Sequence, residues 1–278
     1  MRFSTALFLL LFSATLAFAR KADDSCRNGV GRIERSFGAY KLVVEPTKSE
    51  EDEPICRAAV NGSSGNETFS ISEFAISVLP ISGSSVTNDG NKSIVLEGFS
   101  GGAHCCWTYW IVALGPHPGR VREIHNDSPL AFDRVSSRVV ITTRDGAFNY
   151  FDDLPHAFSP MPTIFLQLDG KILRDVSAQF VSEYDKQISG VRQELTAESV
   201  EAFRSGPTPD LKAGGPDTAE WMQTKAAILS LVLSYLYSGR DQQAWNTLDE
   251  MWPASDRERI SKLIVETRAR GILAQTLK

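Results

Sequence analysis

The stretch SIVLEGFSGGAHCCWTYWIVAL, residues 93–114, is the part of the sequence that best indicates the fold class of this chain. Its two ends are runs of β-branched and aromatic residues, Ser93 to Glu97 and Trp107 to Leu114, and a glycine-containing segment separates them. Such runs, bounded by turn residues, are typical of strands. We therefore predict two strands joined by a turn here, rather than the strand and helix of an α/β unit.

The same strand pattern extends outward on both sides, from Gly38 to about Leu173. Further runs of β-branched and aromatic residues are Tyr40–Val44, Phe69–Leu79, Arg138–Thr143 and Thr163–Leu168. Asn-Gly and Asp-Gly pairs stand between several of the runs, and these pairs suit tight turns because they tolerate positive φ. Short strands with such turns predict an antiparallel sandwich, a barrel or a propeller-like sheet stack.

After Asp175 the pattern changes to helical spacing. Apolar residues recur at i, i+4 and i+7, the spacing of one buried helix face, at Phe180, Tyr184, Ile188, Val191 and Leu195. A short second helix is expected to begin at the capping residue Thr196. Three more helices are expected at about 218–238, 241–252 and 256–270, with a plain helical hairpin among them.

These patterns together predict an α+β chain, in which an antiparallel β-rich part, sandwich or propeller-like, is followed by a C-terminal helical part. The predicted boundaries are a signal peptide at 1–19, a β-rich disulfide-containing domain at 20–174, and a helical region with the C-terminal helical hairpin at 175–278.

Residues 1–19 have the parts of a secretory signal peptide. Arg2 supplies the positive charge, residues 6–12 form a short apolar core, and Ala17-Phe18-Ala19 is an A-x-A cleavage site. The apolar run is shorter than the ~20 residues that a bilayer crossing needs. We therefore expect cleavage after Ala19, no membrane span in the mature chain, and a secreted or periplasmic location.

Export changes how the four cysteines are interpreted, because disulfides are the default in an oxidising compartment. Cys26, Cys56, Cys105 and Cys106 permit three connectivities. One pairs Cys26 with Cys56 and joins the adjacent Cys105 and Cys106 in a vicinal bond, and the other two connect the N-terminal pair to the adjacent pair. We favour the first, because the nearby glycines make the distorted backbone of a vicinal bond cheaper.

The overall composition excludes two classes of protein. The chain of 278 residues has 29 Lys and Arg against 34 Asp and Glu, which gives a net charge of −5. An acidic chain offers no basic footprint for nucleic acid. Hydrophobic residues make up 42% and charged residues 23% of the chain, so it is too apolar for intrinsic disorder.

The glycine-containing segment offers three chemical interpretations. First, residues 98–102 match G-x-S-x-G, with Ser100 as the nucleophile and His125 or His156 as a distant partner. A nucleophile elbow needs a strand before the serine and a helix after it, whereas we predict a strand after it. A secreted serine hydrolase using Ser100 is therefore kept as the alternative function.

The second and third interpretations place a reactive thiolate, or a copper or zinc site, at His104, Cys105 and Cys106. Adjacent cysteines converge poorly on one metal ion, and an exported pair is expected to be oxidised. The simplest interpretation is a disulfide-pinned turn in which Ser100, Gly101, Gly102 and His104 are the candidate functional residues. No metal and no cofactor are expected.

The SGGAHCCWTYW stretch, preceded by Asp89-Gly90 and the 93–97 strand, resembles a group of exported bacterial proteins of uncharacterised function with FG-GAP or VCBS-type repeats. Further matches are Phe148-x-Tyr150, Ser159-Pro160-x-Pro162, Tyr237-Ser238-Gly239 and Trp252-Pro253. The resemblance implies propeller-like sheets and an exported location, and it assigns no activity. The turn at 86–90 lacks the first aspartate of that pattern, so the resemblance implies no calcium site here.

We therefore expect an exported, non-catalytic binding or structural protein. The partner is predicted to be a protein or a carbohydrate, and neither nucleic acid nor a membrane. Tryptophans are common in sugar sites, but Trp107 and Trp110 lie on a predicted strand and are more simply interpreted as core residues.

Overall fold

The structure, a computed structural model, describes residues 25–102, 106–116, 118–206, 209 and 214–277. The predicted signal peptide lies outside the described residues. Within the described residues, thirteen strands in three antiparallel sheets precede five α-helices. This order confirms the α+β class.

The strands occupy the first part of the described chain. They are β1 Ser25–Arg27, β2 Ile33–Phe37, β3 Tyr40–Lys48, β4 Pro54–Asn61, β5 Glu67–Glu73, β6 Ala75–Val78, β7 Ser93–Phe99, β8 Trp107–Ala113, β9 Gly119–Asn126, β10 Ala131–Val135, β11 Arg138–Arg144, β12 Thr163–Asp169 and β13 Ile172–Asp175.

Each sheet contains a four-stranded antiparallel meander, which is also the pattern of a propeller blade. The outer sheet consists of β2 to β5, and the inner sheet consists of β10 to β13. The middle sheet consists of β6 to β9, with β1 added beside β6. Every neighbouring pair within the meanders is antiparallel and consecutive in sequence, and the connections are short except between β6 and β7 and between β11 and β12.

The middle sheet is buried on both faces, which explains why β7 is an almost continuous apolar run. Ile94 and Leu96 pack with the outer sheet, in a cluster with Leu42 and Val60. Val95, on the opposite face, belongs to the cluster that includes the inner sheet. Since successive strand residues point to opposite faces, a strand between two layers needs apolar residues at nearly every position.

The helices cover the other face of the inner sheet. Phe165 of β12 stacks on Phe180, with ring centroids 4.2 Å apart, and meets Tyr184 edge-on at 5.8 Å. The Tyr184 hydroxyl donates to the Thr163 carbonyl at 2.7 Å. The layers are therefore outer sheet, middle sheet, inner sheet and helices, and one hydrophobic core extends from one face of the middle sheet through the inner sheet to the helices.

The helices lie close to their predicted positions. They are α1 Val181–Glu194, α2 Ala197–Ser205, α3 Pro216–Tyr237, α4 Asp241–Met251 and α5 Arg257–Arg270, followed by a 3-10 helix at Ile272–Leu277. Thr196 caps α2 as predicted, in a reciprocal capping box with Ser199. The helices α3 and α4 form the expected hairpin, with Gly239 at φ 78° in the turn. Among the described residues, no helix has the length and apolarity that a membrane crossing demands.

The β-rich run Phe69–Leu79 contains parts of two strands rather than one. The chain breaks at Phe74, where it leaves β5 of the outer sheet and enters β6 of the middle sheet. Alternating polarity indicates strand conformation, but it does not show which sheet a strand joins. The alternation continues through the crossing and so conceals it.

A disulfide joins Cys26 of β1 to Cys56 of β4, with Cα atoms 5.9 Å apart. It connects the middle sheet to the outer sheet, and both cysteines are fully buried. This pairing is the one favoured from the sequence. Cys106 is also disulfide-bonded, whereas Cys105, its predicted vicinal partner, lies outside the described residues.

Candidate functional site

The turn predicted to be functional connects β7 to β8. Ser100 and Gly102 are exposed, and Gly101 has φ 90° with its α-carbon facing the Phe74 ring. The Ser100 amide donates to the Cys106 carbonyl at 3.3 Å, and the Cys106 amide donates to Ser100 Oγ at 3.2 Å. His104 lies outside the described residues. The serine thus closes a hairpin turn, and the next regular element is the strand β8 rather than the helix of a nucleophile elbow.

The two histidines considered as partners of Ser100 are held by other groups. His125 Nε2 lies 2.9 Å from Glu123 Oε1, and its Nδ1 lies 3.1 Å from Thr108 Oγ1. His156 Nδ1 lies 2.7 Å from Asn149 Oδ1 in the connection between β11 and β12. These contacts orient both rings toward their own strand or loop.

The long connection between β11 and β12, residues 145–162, is the most unusual backbone of the described chain. Tyr150, Asp152 and Asp153 adopt left-handed φ values of 54°, 50° and 64°. Aspartate tolerates this region better than most residues, whereas a bulky tyrosine rarely adopts it. Each such position costs on the order of 1–3 kcal/mol, so surrounding contacts must hold the loop in place.

The carboxylate of Asp152 is the principal anchor of that loop. Lys225 Nζ lies 2.7 Å from Asp152 Oδ2 and donates to the Asp152 carbonyl at 2.6 Å. The Arg259 guanidinium donates hydrogen bonds to both carboxylate oxygens, at 2.5 and 3.0 Å. The side chains of Asp152 and Lys225 are only 8% and 7% exposed. One residue of the sheet region therefore binds α3 and α5 together.

Asp256 completes the charge network around this anchor. Its carboxylate accepts hydrogen bonds from Arg259 Nε at 2.6 Å and from Trp252 Nε1 at 2.9 Å. Burial by itself would raise the pKa of Asp152, but hydrogen bonds from Arg259 and Lys225 outweigh burial and lower it. The Arg259 hydrogen bond also lowers the pKa of Asp256. These groups therefore stay charged at neutral pH.

A cleft of about 510 Å³ opens beside this network, and we call it the Asp152 cleft. Its lining includes Asp153, Arg204, Ser205, Trp221, Ser255 and Arg259. The rings of Phe203 and Trp252 are buried against each other and form its support, with centroids 5.0 Å apart. Trp221 is only half-buried and lies 5.2 Å from the Phe203 ring. The volume is in the ordinary range for a small-molecule site.

A second anchor fixes the start of the same loop. Asp145 is fully buried, and its carboxylate accepts hydrogen bonds from the Tyr237 hydroxyl at 2.6 Å and the Ile272 amide at 3.2 Å. Burial raises the pKa of Asp145, although these hydrogen bonds act in the opposite direction. Burial and the adjacent carboxylate raise the pKa of Tyr237, so its phenol remains the donor.

Little in the sequence predicts these anchors. Several blocks of the family resemblance meet here: the Phe148 ring contacts Tyr237 edge-on, and Trp252 lies beside Asp256. A further signal is Lys225, a buried lysine that directly precedes the apolar run of α3. Its partner Asp152 is 73 residues away and could not be identified from spacing.

No known protein-family model, no curated protein and no solved structure matches the chain. The suspected family therefore remains a prediction. Within the part of the chain that the structure describes, no three His, Cys, Asp or Glu side chains converge in a way that could hold a metal ion.

Proposed function

We propose that this chain is an exported, non-catalytic binding protein that takes its ligand in the Asp152 cleft. The observation that supports the proposal most strongly is the left-handed backbone at Tyr150, Asp152 and Asp153, held beside an open cleft by a buried ion pair. Strained loop residues clamped by their surroundings are typical of ligand sites. A loop that only connected two strands would gain nothing from this cost.

The charges around the cleft favour binding over catalysis. A general acid or base works best with a pKa near the operating pH. The pKa values of Asp152 and Asp256 are lowered, and the pKa of Arg259 is raised, so all three move away from neutrality. Fixed charges of this kind are suited to holding a ligand and to keeping the loop in one conformation.

Export is supported by the signal-like N-terminus and by the disulfide between Cys26 and Cys56. A disulfide persists in oxidising compartments such as the periplasm or the extracellular space. The pair connects two sheets, so its loss would loosen the sheet stack rather than the cleft. We therefore place the protein outside the cytoplasm, as a secreted or periplasmic chain.

A variant that fills the cleft tests the proposal. Ser255 is exposed on the cleft rim, and Ser255→Trp would occupy the space without removing an ion pair. Ser63→Trp, at an exposed position between β4 and β5, is the matched control. Thermal shifts are measured for a panel of neutral and acidic oligosaccharides, amino acids, dipeptides and nucleosides.

We expect at least one compound to raise the Tm of the wild type and of Ser63→Trp, and to leave Ser255→Trp unchanged. Equal shifts in all three proteins would place the ligand elsewhere on the molecule. The absence of any shift across the whole panel would argue for a structural protein instead.

A further inference from the structure

The Asp152 cleft is balanced in charge, which restricts the ligands it suits. Among its described lining residues, three carboxylates, of Asp152, Asp153 and Asp256, stand against three cations, of Arg204, Lys225 and Arg259. Lys225 forms a buried ion pair with Asp152, and Arg259 forms ion pairs with both Asp152 and Asp256. An anionic ligand would have to compete with these carboxylates, and the penalty for breaking a buried pair is high.

Arg204 offers no better anchor for an anion. Its guanidinium lies 3.1 Å from Glu201 and donates to the Glu250 carbonyl at 3.2 Å. A cationic ligand would find the exposed carboxylate of Asp153 and the 32% exposed carboxylate of Asp256, and Asp256 is already paired with the Arg259 guanidinium that lines the same cleft. The arrangement therefore favours a ligand with no net charge.

The uncharged part of the lining combines hydroxyl groups with an aromatic surface. Ser205 and Ser255 are exposed at the rim, and the Arg259 side chain is 52% exposed, so donors and acceptors are both within the cleft. Trp221 adds a half-buried aromatic side chain, and the Lys225 ammonium lies over its ring at 5.2 Å from the centroid, which leaves one face of the ring for a ligand.

From this combination, and on the premise that the cleft is the binding site, we propose that the ligand is a neutral carbohydrate. A sugar ring presents hydroxyl groups that donate and accept at once, and it also presents an apolar face of C–H groups. Paired arginine and aspartate side chains match adjacent hydroxyls, and a partly exposed tryptophan matches the apolar face. The cleft volume of about 510 Å³ suits one or two sugar units better than a long polymer segment.

The test is a titration of the full chain with neutral disaccharides, namely maltose, cellobiose, lactose and N,N′-diacetylchitobiose, followed by isothermal titration calorimetry. Acidic probes, glucuronic acid and sialyllactose, form the second arm, and the amino acids and nucleosides of the panel form the third. Trp221→Ala removes the proposed stacking surface. Trp245→Phe is the matched control, because Trp245 is also half-buried but lies on α4 in another groove.

We expect saturable binding of a neutral disaccharide that Ser255→Trp abolishes, that Trp221→Ala weakens about tenfold, and that Trp245→Phe leaves unchanged. If Trp221→Ala does not fold, Trp221→Phe and Ser255→Trp together decide the result. Binding only of acidic sugars, amino acids or nucleosides, abolished by Ser255→Trp, would overturn the carbohydrate assignment and leave the binding function intact. If no probe of any class binds, both the carbohydrate assignment and the binding function are overturned.

Discussion

Replacing Asp152 by asparagine should destabilise the protein far more than the same change at its neighbour. Asparagine keeps the shape of the side chain and tolerates left-handed φ, so the backbone cost is nearly unchanged. Only the charge is lost. Lys225, whose side chain is 7% exposed, would then lose the carboxylate that lies 2.7 Å from its ammonium.

The magnitude follows from the burial of that ion pair. Removing one partner of a buried pair costs about 3–5 kcal/mol, because the other charge is left uncompensated. The Arg259 side chain is 52% exposed, so its contact with Asp152 adds less, within the ~0–1 kcal/mol of surface pairs. The expected loss is thus about 3–5 kcal/mol, a large share of the 5–15 kcal/mol typical of a folded chain.

Urea unfolding at pH 7 measures this loss, with Asp153→Asn as the matched control. Asp153 is an adjacent aspartate, also left-handed, but exposed, so its substitution should change the free energy of unfolding by no more than about 0.5 kcal/mol. The double variant Asp152→Asn with Lys225→Met removes both buried charges and should recover part of the loss. Equal effects of Asp152→Asn and Asp153→Asn, or no recovery in the double variant, would show that the buried ion pair does not cause the loss of stability.

The same pair predicts a pH dependence. The pKa of Asp152 is lowered in the folded state, so its contribution is present above the unfolded value of about 3.9 and is lost as the pH falls through the folded value. The difference between the wild type and Asp152→Asn should therefore shrink in acid. A difference that stays constant from pH 7 to below pH 3 would show that charge is not its cause.

Three further predictions concern the second anchor, the disulfide and the β7–β8 turn. Because burial raises the pKa of Asp145, its contribution to stability is full below about pH 3.9 and declines as the pH rises above that value. In urea unfolding, the stability of Asp145→Asn relative to the wild type should therefore increase as the pH rises from about 3.9. An increase on acidification would contradict this prediction. Replacing Cys26 and Cys56 by alanine should cost about 3–4 kcal/mol in the same assay, as expected for a sequence separation of 30, and an unchanged midpoint would count against this. Ser100 should not react with a fluorophosphonate probe, and labelling of the wild type that Ser100→Ala abolishes would establish the hydrolase alternative.

The sequence predicts a strand correctly where a local pattern of apolar residues coincides with a buried layer of the fold. β7, β8, β11 and β12 were predicted because each is a dense run of β-branched and aromatic residues. Trp110 is 6% exposed and lies in the core, as its position on a strand suggested. β9 was missed because its sequence, GRVREIHN, alternates charged and apolar residues at a partly exposed position.

The candidate site could not be predicted for a different reason. Asn88 shows the problem: it lies in the turn at 86–90, and its side chain donates to the Leu168 carbonyl and accepts from the Val139 amide. It thereby joins a loop of the middle sheet to the inner sheet, across 80 residues of sequence. The contact between Asp152 and Lys225 is of the same kind, because it depends on how layers meet and not on a local pattern.

Amide hydrogen exchange locates the ligand on the protein and so tests whether it binds at the Asp152 cleft. Exchange is measured with and without a saturating concentration of the compound that gives the largest thermal shift. We predict slower exchange confined to residues 150–155, 203–206 and 252–259, which surround the cleft. Slower exchange at residues 98–102 instead, with the cleft unchanged, would show that the ligand binds at the turn that contains Ser100 and not at the cleft.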